Sequence, residues 1–279
     1  MSELYAVIGD PIEHSLSPAM HHFWYETYNM DHHYHAFRVK PDNLKDAVRG
    51  MKAIGVKGFN ITIPHKINII PLLDSVDDEA QMLGAVNTVV NRGGKLYGYN
   101  TDGLGFLLSL KEEVPEILEQ NPKVLIIGAG GAARAVGLTL AKHVKLQQLD
   151  ITNRTMEKAR QLSEECTDLT NTRVLSLQEA KDTLPDYDLI INGTSVGLAP
   201  HIDQMPMDIT PSERKQVFAD LIYRPLKTKW LREAEAQGHI ILNGLPMLIY
   251  QGALAYKHWF GKLPDAKIMQ SFLERKMED

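Results

Sequence analysis

The chain is short of the features that would set it apart from ordinary globular proteins. Its one cysteine, Cys166, rules out a disulfide within the chain and leaves too few thiolates for a cysteine-based zinc site. Filler on a helix is its expected role. No stretch of about 18 apolar residues occurs, so no membrane-spanning helix is expected. The opening MSELYAVIGDP lacks the basic segment, apolar run and small-residue cleavage site of a signal peptide, which points to a cytoplasmic protein. Blocks of like charge are missing too: a net charge of -5 without a basic stripe offers no footprint for nucleic acid. The sequence holds no internal repeat and no low-complexity segment.

What is present is an ordinary composition on an ample length. Hydrophobic residues make up 44% and charged residues 23%, as in folded soluble proteins. At 279 residues the chain exceeds what one core comfortably fills, so two domains of roughly 100 to 150 residues are expected, with a cleft between them. The first third alternates strand-like runs (4–8, 33–39, 58–63) with segments of helical period such as Leu44, Ala47, Val48 and Met51, which argues for βαβ units on a mostly parallel sheet. Ser17 followed by Pro18 reads as an N-cap and first-turn proline. Residues 10–16 then lie at the carboxyl end of a strand, where open α/β sheets bind ligands. Runs 86–91 and 95–99, separated by Arg92, Gly93 and Gly94, predict a hairpin. A polar, proline-bearing stretch places a domain junction near 103–122. A second αβ series follows: strands at 123–127, 149–152 and 188–192, helices at 132–142 and 156–165. Helical stretches at 247–259 and 266–276 are expected to return to the first domain. The domain bounds expected are 1–105 completed by 246–279, and 106–245.

The apolar run 124–127 feeds directly into Gly128, Ala129, Gly130, Gly131, Ala132 and Ala133, a GxGxxA pattern between a strand and an amphipathic helix. Gly128 permits the tight turn, Gly130 lets backbone approach a pyrophosphate, and Ala133 allows close helix packing. That context makes a dinucleotide site the expectation. The end of the next strand decides which dinucleotide binds. Asp150 lies at the distance of a ribose-binding acid, but the strand pattern continues past it, so the tip is Asn153-Arg154-Thr155, with Lys158 one turn on. An arginine fork suits a 2'-phosphate and hence NADP; a solvated basic helix start is the plain alternative.

HSLSP (14–18), NITIPHK (60–66), GAVNT (84–88), GYNTDG (98–103), GAGGAARA (128–135), NRT (153–155), NGTSVG (192–197), DLIY (220–223) and GLPMLIYQGA (244–253) occur in this order. Together they resemble the shikimate dehydrogenases over nearly the whole chain. The resemblance implies an N-terminal α/β substrate domain, a Rossmann-type doubly wound NADP domain, and reversible reduction of 3-dehydroshikimate to shikimate in aromatic amino acid biosynthesis. It assigns Lys66 and Asp102 to catalysis, in keeping with the need for a proton donor at a ketone oxygen. Without it, a surface lysine and a helix-capping aspartate would serve as well. Ser15 and Ser17 are implied as hydroxyl donors to the substrate carboxylate, with Tyr223 approaching from the cofactor domain. Asn60, Thr62, Asn87, Thr101 and Gln251 are implied to complete the polyol site. For the cofactor the resemblance adds Asp78, Thr194, Val196, Leu221, Gly244 and Met247. One departure is Pro246, where many members have glycine, beside the nicotinamide.

His33 and His35 on one strand face, with His21, His22 and His32 nearby, invite a metal reading, but the carboxylates and spacings of zinc sites are missing, so no metal is expected. Two rivals remain: a quinate or quinate/shikimate dehydrogenase, opposed on the cofactor side by Arg154 if NAD-dependent, and a cofactor-sensing regulator, opposed by Lys66 and Asp102. A small-molecule partner is expected, on a monomer or homodimer.

Overall fold

The structure, a computed structural model, describes residues 2–278. The chain divides into two compact units: one runs to Thr101 and resumes at Ile249, the other spans Asp102–Leu248.

The first unit begins β1(Glu3–Gly9), α1(Ser17–Thr27), β2(His32–Arg38), α2(Leu44–Ala53), β3(Gly58–Ile61), β4(Ser75–Val76), α3(Asp78–Leu83), β5(Thr88–Arg92) and β6(Lys95–Tyr99). Its sheet has the order β2-β1-β3-β5-β6-β4. β1 runs parallel to both neighbours, β4 is parallel to β6, and β5 is antiparallel to β3 and β6. The sheet is therefore mixed. β1 is central and reads as an unbroken apolar run because both its faces are covered. β2 is an edge strand, and of its seven residues only Tyr34 is buried. α2 buries Leu44, Val48 and Met51, spaced four and three apart, against Ile8, Phe59 and Val89 in one apolar core. The β5–β6 turn uses Gly93 at φ 60° and Gly94 at φ 85°, the two positive values that match a tight hairpin to strand twist.

Two strands are shorter than the apolar runs suggest. β3 ends at Ile61 because the chain then turns: the His65 amide donates to Thr62 O and the Ile63 carbonyl accepts from the Asp10 amide. β5 starts at Thr88 because the Val86 amide is donated to Lys66 O, 2.8 Å away, instead of to a strand.

The second unit carries α4(Asp102–Glu113), α5(Pro115–Glu119), β7(Lys123–Ile127), α6(Gly131–His143), β8(Gln148–Thr152), α7(Met156–Cys166), β9(Thr172–Leu175), α8(Leu177–Asp182), β10(Leu189–Asn192), β11(Val217–Asp220), α9(Lys229–Ala236) and β12(Ile240–Leu242). All six strands are parallel, in the order β12-β11-β10-β7-β8-β9. Counted within the unit this is the doubly wound order, and it reverses between β7 and β10, where ligands bind outside the strands' carboxyl ends. Leu125, Ile127, Ile190, Phe218, Trp230 and Leu231 form part of the core beneath. Cys166 ends α7, buried and free.

The unit boundary falls inside α10(Leu245–Phe260), which precedes α11(Ala266–Glu278). From α10, Trp259 covers the first sheet, its Nε1–H donating to Val89 O at 3.0 Å. From α11, Phe272 stacks on Phe23 of α1 at 4.4 Å. No helix among the described residues is long and apolar enough to cross a membrane.

Candidate active site

The first unit gathers its polar residues at the carboxyl end of β1 and β3. Asn60, 6% exposed, sits opposite Thr88 in the β3–β5 ladder. Its Nδ2 donates to Asn87 O at 3.1 Å and to Thr88 Oγ1 at 3.0 Å. The Thr88 Oγ1–H donates to Asn87 Oδ1 at 3.0 Å. Asn87 Oδ1 also accepts the Thr101 amide at 2.9 Å, and Asn87 Nδ2 donates to Thr101 Oγ1 at 2.9 Å. Asn60, Asn87 and Thr101, far apart in sequence, therefore share one buried network. Both amide hydrogens of Asn60 are consumed within it, so toward a ligand Asn60 offers an Oδ1 lone pair only.

Ser15 and Ser17 flank the start of α1 in a way the sequence reading has inverted. The N-cap position is Leu16, which supplies no side-chain cap, and Pro18 lies one residue further into the helix than expected. Ser15 Oγ accepts the Ser17 amide at 3.3 Å, so Ser15 takes the local capping role. Thr62 is half-buried, its methyl group packed where a Cβ on Gly9 would clash. Lys66 is half-buried on the segment after β3. That segment is fixed at three points: Lys66 O accepts from Val86, His65 O accepts from Ile69, and the buried His65 ring donates through Nε2–H to Val39 O at 2.6 Å. Gln251 is half-buried on α10. Asp78 is exposed in the first turn of α3, whose cap is Asp77, accepting from the Ala80 amide at 2.8 Å.

In the second unit, Asp102 is the half-buried first residue of α4. The glycine loop joins β7 to α6 as its sequence requires. Gly128 has φ +109°, and a Cβ there would lie 2.9 Å from Thr194 Cγ2 and 3.0 Å from the Gly193 carbonyl carbon. Any other residue would be strained in backbone and blocked in space. Ala129 is half-buried, and Gly130, Gly131 and Ala132 are exposed at the α6 N-terminus. Nothing lies within 4 Å of a Cβ built on Gly130 or Gly131. That open backbone, at the positive end of a helix with no acid in its first turn, fits a pyrophosphate.

At the end of β8, Asp150 is fully buried and satisfied within the fold. It accepts from Arg173 Nε at 3.1 Å and Nη2 at 2.6 Å, Gln148 Nε2 at 2.9 Å and the Tyr187 hydroxyl at 2.5 Å. Its carboxylate is spent, and it lies two residues short of the strand end. Asn153 Nδ2 donates to Thr155 O at 2.8 Å, shaping the tip on which Arg154, Thr155 and Lys158 are exposed. Neither Arg154 nor Lys158 has an ion-pair partner among the described residues. The pair fits a 2'-phosphate.

The β10 and β11 ends are tied by a residue to which the sequence reading, quoting it only as the start of DLIY, gives no role. Asp220, 1% exposed, accepts from the Ile222 amide at 3.0 Å, Thr228 Oγ1 at 2.9 Å and Asn192 Nδ2 at 3.1 Å. Asn192 Oδ1 in turn holds the Thr194 amide at 3.0 Å and hydroxyl at 2.7 Å, and its Nδ2 reaches Val196 O at 3.2 Å. Thr194, Val196, Leu221 and half-buried Tyr223 thus hang on one carboxylate. Burial raises the Tyr223 phenol above its ordinary range. The Gly244 amide donates to Ile222 O at 2.9 Å, and Pro246 and Met247 follow it, both buried, in the first turn of α10. An acid closing the apolar run QVFAD was the available signal for Asp220.

Burial pushes the Asp220 carboxyl up to about 6 against these donors. The folded state therefore holds the proton more tightly than the unfolded chain. Its stabilising share is complete below about pH 4 and is lost as pH rises through about 6. The difference amounts to about 3 kcal/mol. Asp220→Asn removes this titration, so the unfolding free energy of wild type minus variant should fall by about that amount between about pH 4 and about pH 7. Denaturant melts at a series of pH values check this; a constant difference would show that Asp220 is not the titrating group.

Among the described residues no group of three or more His, Cys, Asp or Glu is placed to hold a metal ion. His33 and His35 are stacked, 6.4 Å apart, on the exposed face of β2.

Three family descriptions match the chain in order: Shikimate dehydrogenase substrate binding domain over residues 7–89, Shikimate / quinate 5-dehydrogenase over 111–223, and Shikimate 5'-dehydrogenase C-terminal domain over 244–271. The Shikimate dehydrogenase (NADP(+)) of Geobacillus sp. (strain WCH70) is 47% identical over 273 residues, 98% of each chain. Among solved structures, the shikimate 5-dehydrogenase of Thermus thermophilus in complex with NADP(H) and shikimate superposes with a TM-score of 0.87 at 37% identity, covering 98% of this chain and 99% of that one. The quinate dehydrogenase of Corynebacterium glutamicum in complex with NAD gives a TM-score of 0.89 at 29% identity, covering 98% and 99%. The identity to the dehydrogenases, sustained over the whole length and across both units, leaves one conclusion: the chain belongs to the shikimate/quinate dehydrogenase family, on its NADP-dependent shikimate dehydrogenase branch.

Proposed function

We propose that this chain is an NADP-dependent shikimate dehydrogenase, interconverting 3-dehydroshikimate and shikimate, with the substrate held by the first unit and NADP by the second. The observation that carries the reading is 47% identity over 98% of both chains to an enzyme of that name. It is supported by the free cations at the β8 tip and the spent carboxylate of Asp150, since a ribose 2'-hydroxyl would need an available acid there.

Reduction of the ketone takes a hydride at carbon and a proton at oxygen. NADPH bound at the glycine loop supplies the hydride. The chain supplies the rest. The Lys66 ammonium gives its proton to the oxygen as negative charge builds there and regains one from water. Asp102 accepts a hydrogen bond from a ring hydroxyl and so orients the ring. Asn60, Thr62, Asn87, Thr101 and Gln251 hold the remaining ring hydroxyls, Asn60 as an acceptor. Ser15, Ser17 and Tyr223 donate to the carboxylate. Gly128 to Ala132 cradle the pyrophosphate, Asn153 to Thr155 with Lys158 hold the 2'-phosphate, and Thr194, Val196, Leu221, Gly244 and Met247 line the remainder. Asp78, in the first unit, adds a polar contact to the cofactor.

Initial rates with shikimate or quinate, each against NADP and NAD, test the reading. Shikimate with NADP should give the highest kcat/KM of the four. Preferred turnover of quinate with NAD, or no turnover at all, would contradict it.

The α1 geometry makes Ser17→Ala the cleaner probe of the carboxylate site, because no cap bond is lost with it. KM for shikimate should rise about 10-fold, the worth of a hydrogen bond to a charged group at its low end. KM for NADP and the melting temperature should stay put. An equal rise in both KM values would refute the assignment.

A further inference from the structure

We propose that Gly103 is a positioning residue: by letting α4 lie against α6, it fixes Asp102 to the helix that follows the glycine loop. The inference rests on the reading of Asp102 as a residue of the reacting site.

Asp102 and Gly103 open α4, and the second unit begins at Asp102 itself. α4 packs along α6, whose N-terminus is formed by Gly130 and Gly131. Gly103 stands at that contact. A Cβ built on it would lie 2.5 Å from the Ala135 carbonyl oxygen and 2.7 Å from Thr139 Cβ, and would run into Thr139 Oγ1. Ala135 and Thr139 are buried on α6, about one and two turns in from Gly131.

Backbone freedom is not what this position asks of a glycine. Its φ lies outside the left-handed region, and alanine is the better helix former. What the position requires is space. The Cα–H that stands where the Cβ would be points at Ala135 O and Thr139 Oγ1, the weak kind of hydrogen bond that recurs where helices approach closely. Thr139 Oγ1, fully buried, has no conventional partner among the described residues. The Ala135 oxygen belongs to backbone and cannot swing aside as a side chain could. Farther along α4, Phe106, Leu107 and Leu110 are buried and anchor the helix. A side chain at 103 is therefore taken up by lifting the first turn of α4 from α6, and Asp102 stands on that turn. Asp102 thus takes its place from α6, just behind the pyrophosphate cradle, whereas Thr101, the residue before it, takes its place from Asn87 in the first unit.

Gly103→Ala should lower kcat/KM for shikimate about 10-fold to 100-fold, the scale of a misplacement of about 1 Å, while KM for NADP stays near the wild-type value. Gly137→Ala is the packing control: it lies on α6 too, but a Cβ there meets nothing closer than the end of the Ile126 side chain at 3.2 Å, and kcat/KM should be kept. The deciding measurement is the double variant. In an Asp102→Asn background, where the carboxylate is already gone, Gly103→Ala should cost at most about 3-fold more, because the two changes act on one group. Thr139→Ile crowds the same contact from the α6 side, should show the same dependence on Asp102, and serves if Gly103→Ala does not fold. A loss of full size in the Asp102→Asn background, or a parallel loss of NADP binding, would make Gly103 a packing residue and overturn the proposal. If Asp102→Asn by itself leaves kcat/KM for shikimate unmoved, the assignment of Asp102 fails, and the proposal with it.

Discussion

Lys66→Ala is expected to lower kcat about 100-fold to 10,000-fold, the range for losing a general acid, with KM for shikimate changed only a few-fold. The expectation follows from how the lysine is held. Its backbone is fastened to Val86, and its neighbour His65 is buried with its ring on Val39 O. The ammonium thus stands on a stiff segment beside Asn87, whose side chain belongs to the buried network with Thr101. Asn60, Thr88, Asn87 and Thr101 hold one another in that network, so binding should largely survive loss of the ammonium while proton delivery does not. Single-turnover rates with NADPH and 3-dehydroshikimate separate the two. A variant with near wild-type kcat would reduce Lys66 to a surface or binding residue.

The second large effect belongs to the cofactor. Arg154→Ala should weaken NADP binding roughly 10-fold to 150-fold, from about 1.5 to 3 kcal/mol for a hydrogen bond to a charged group. Affinity for NAD should hardly move, since NAD lacks the phosphate. Arg154 and Lys158 are exposed at the β8 tip, so salt should screen the pair and shrink the effect. Asp150 cannot take over the ribose, because Arg173, Gln148 and Tyr187 already occupy its carboxylate. The check is kcat/KM for both cofactors in wild type and variant at one ionic strength. A parallel fall in both would mean that Arg154 supports the fold or the shared adenosine site.

Much of this was legible in the sequence wherever local pattern decides structure. β7 follows the apolar run before the glycines, and Gly93 and Gly94 mark the hairpin turn. The tip residues Asn153 to Thr155 fall just past β8, as continued strand pattern through Thr152 implies. The reading failed where the outcome depends on which neighbour captures a polar group. Ser17 looked like an N-cap, yet the cap position falls on Leu16 and Ser15 takes the Ser17 amide. Tyr34, Thr88 and Asp220 were given no role because strand register brings in their partners: Asn60 for the first two and Asn192 for the third, each 26 to 28 residues away. Short elements such as β9, β11 and β12, three or four residues each, carry too little periodicity to be found alone. α8 is different: its Ser176–Glu179 capping box is a sequence signature that was there to read.

The central claim is direct hydride transfer between NADPH and 3-dehydroshikimate on this chain. It is tested most directly with NADPH carrying deuterium at both C4 positions. The shikimate formed should contain one deuterium, on the carbon that was the ketone, and an equal amount of NADP should accumulate. Shikimate free of deuterium, or no reduction of 3-dehydroshikimate under conditions where NADPH binds, would contradict the account.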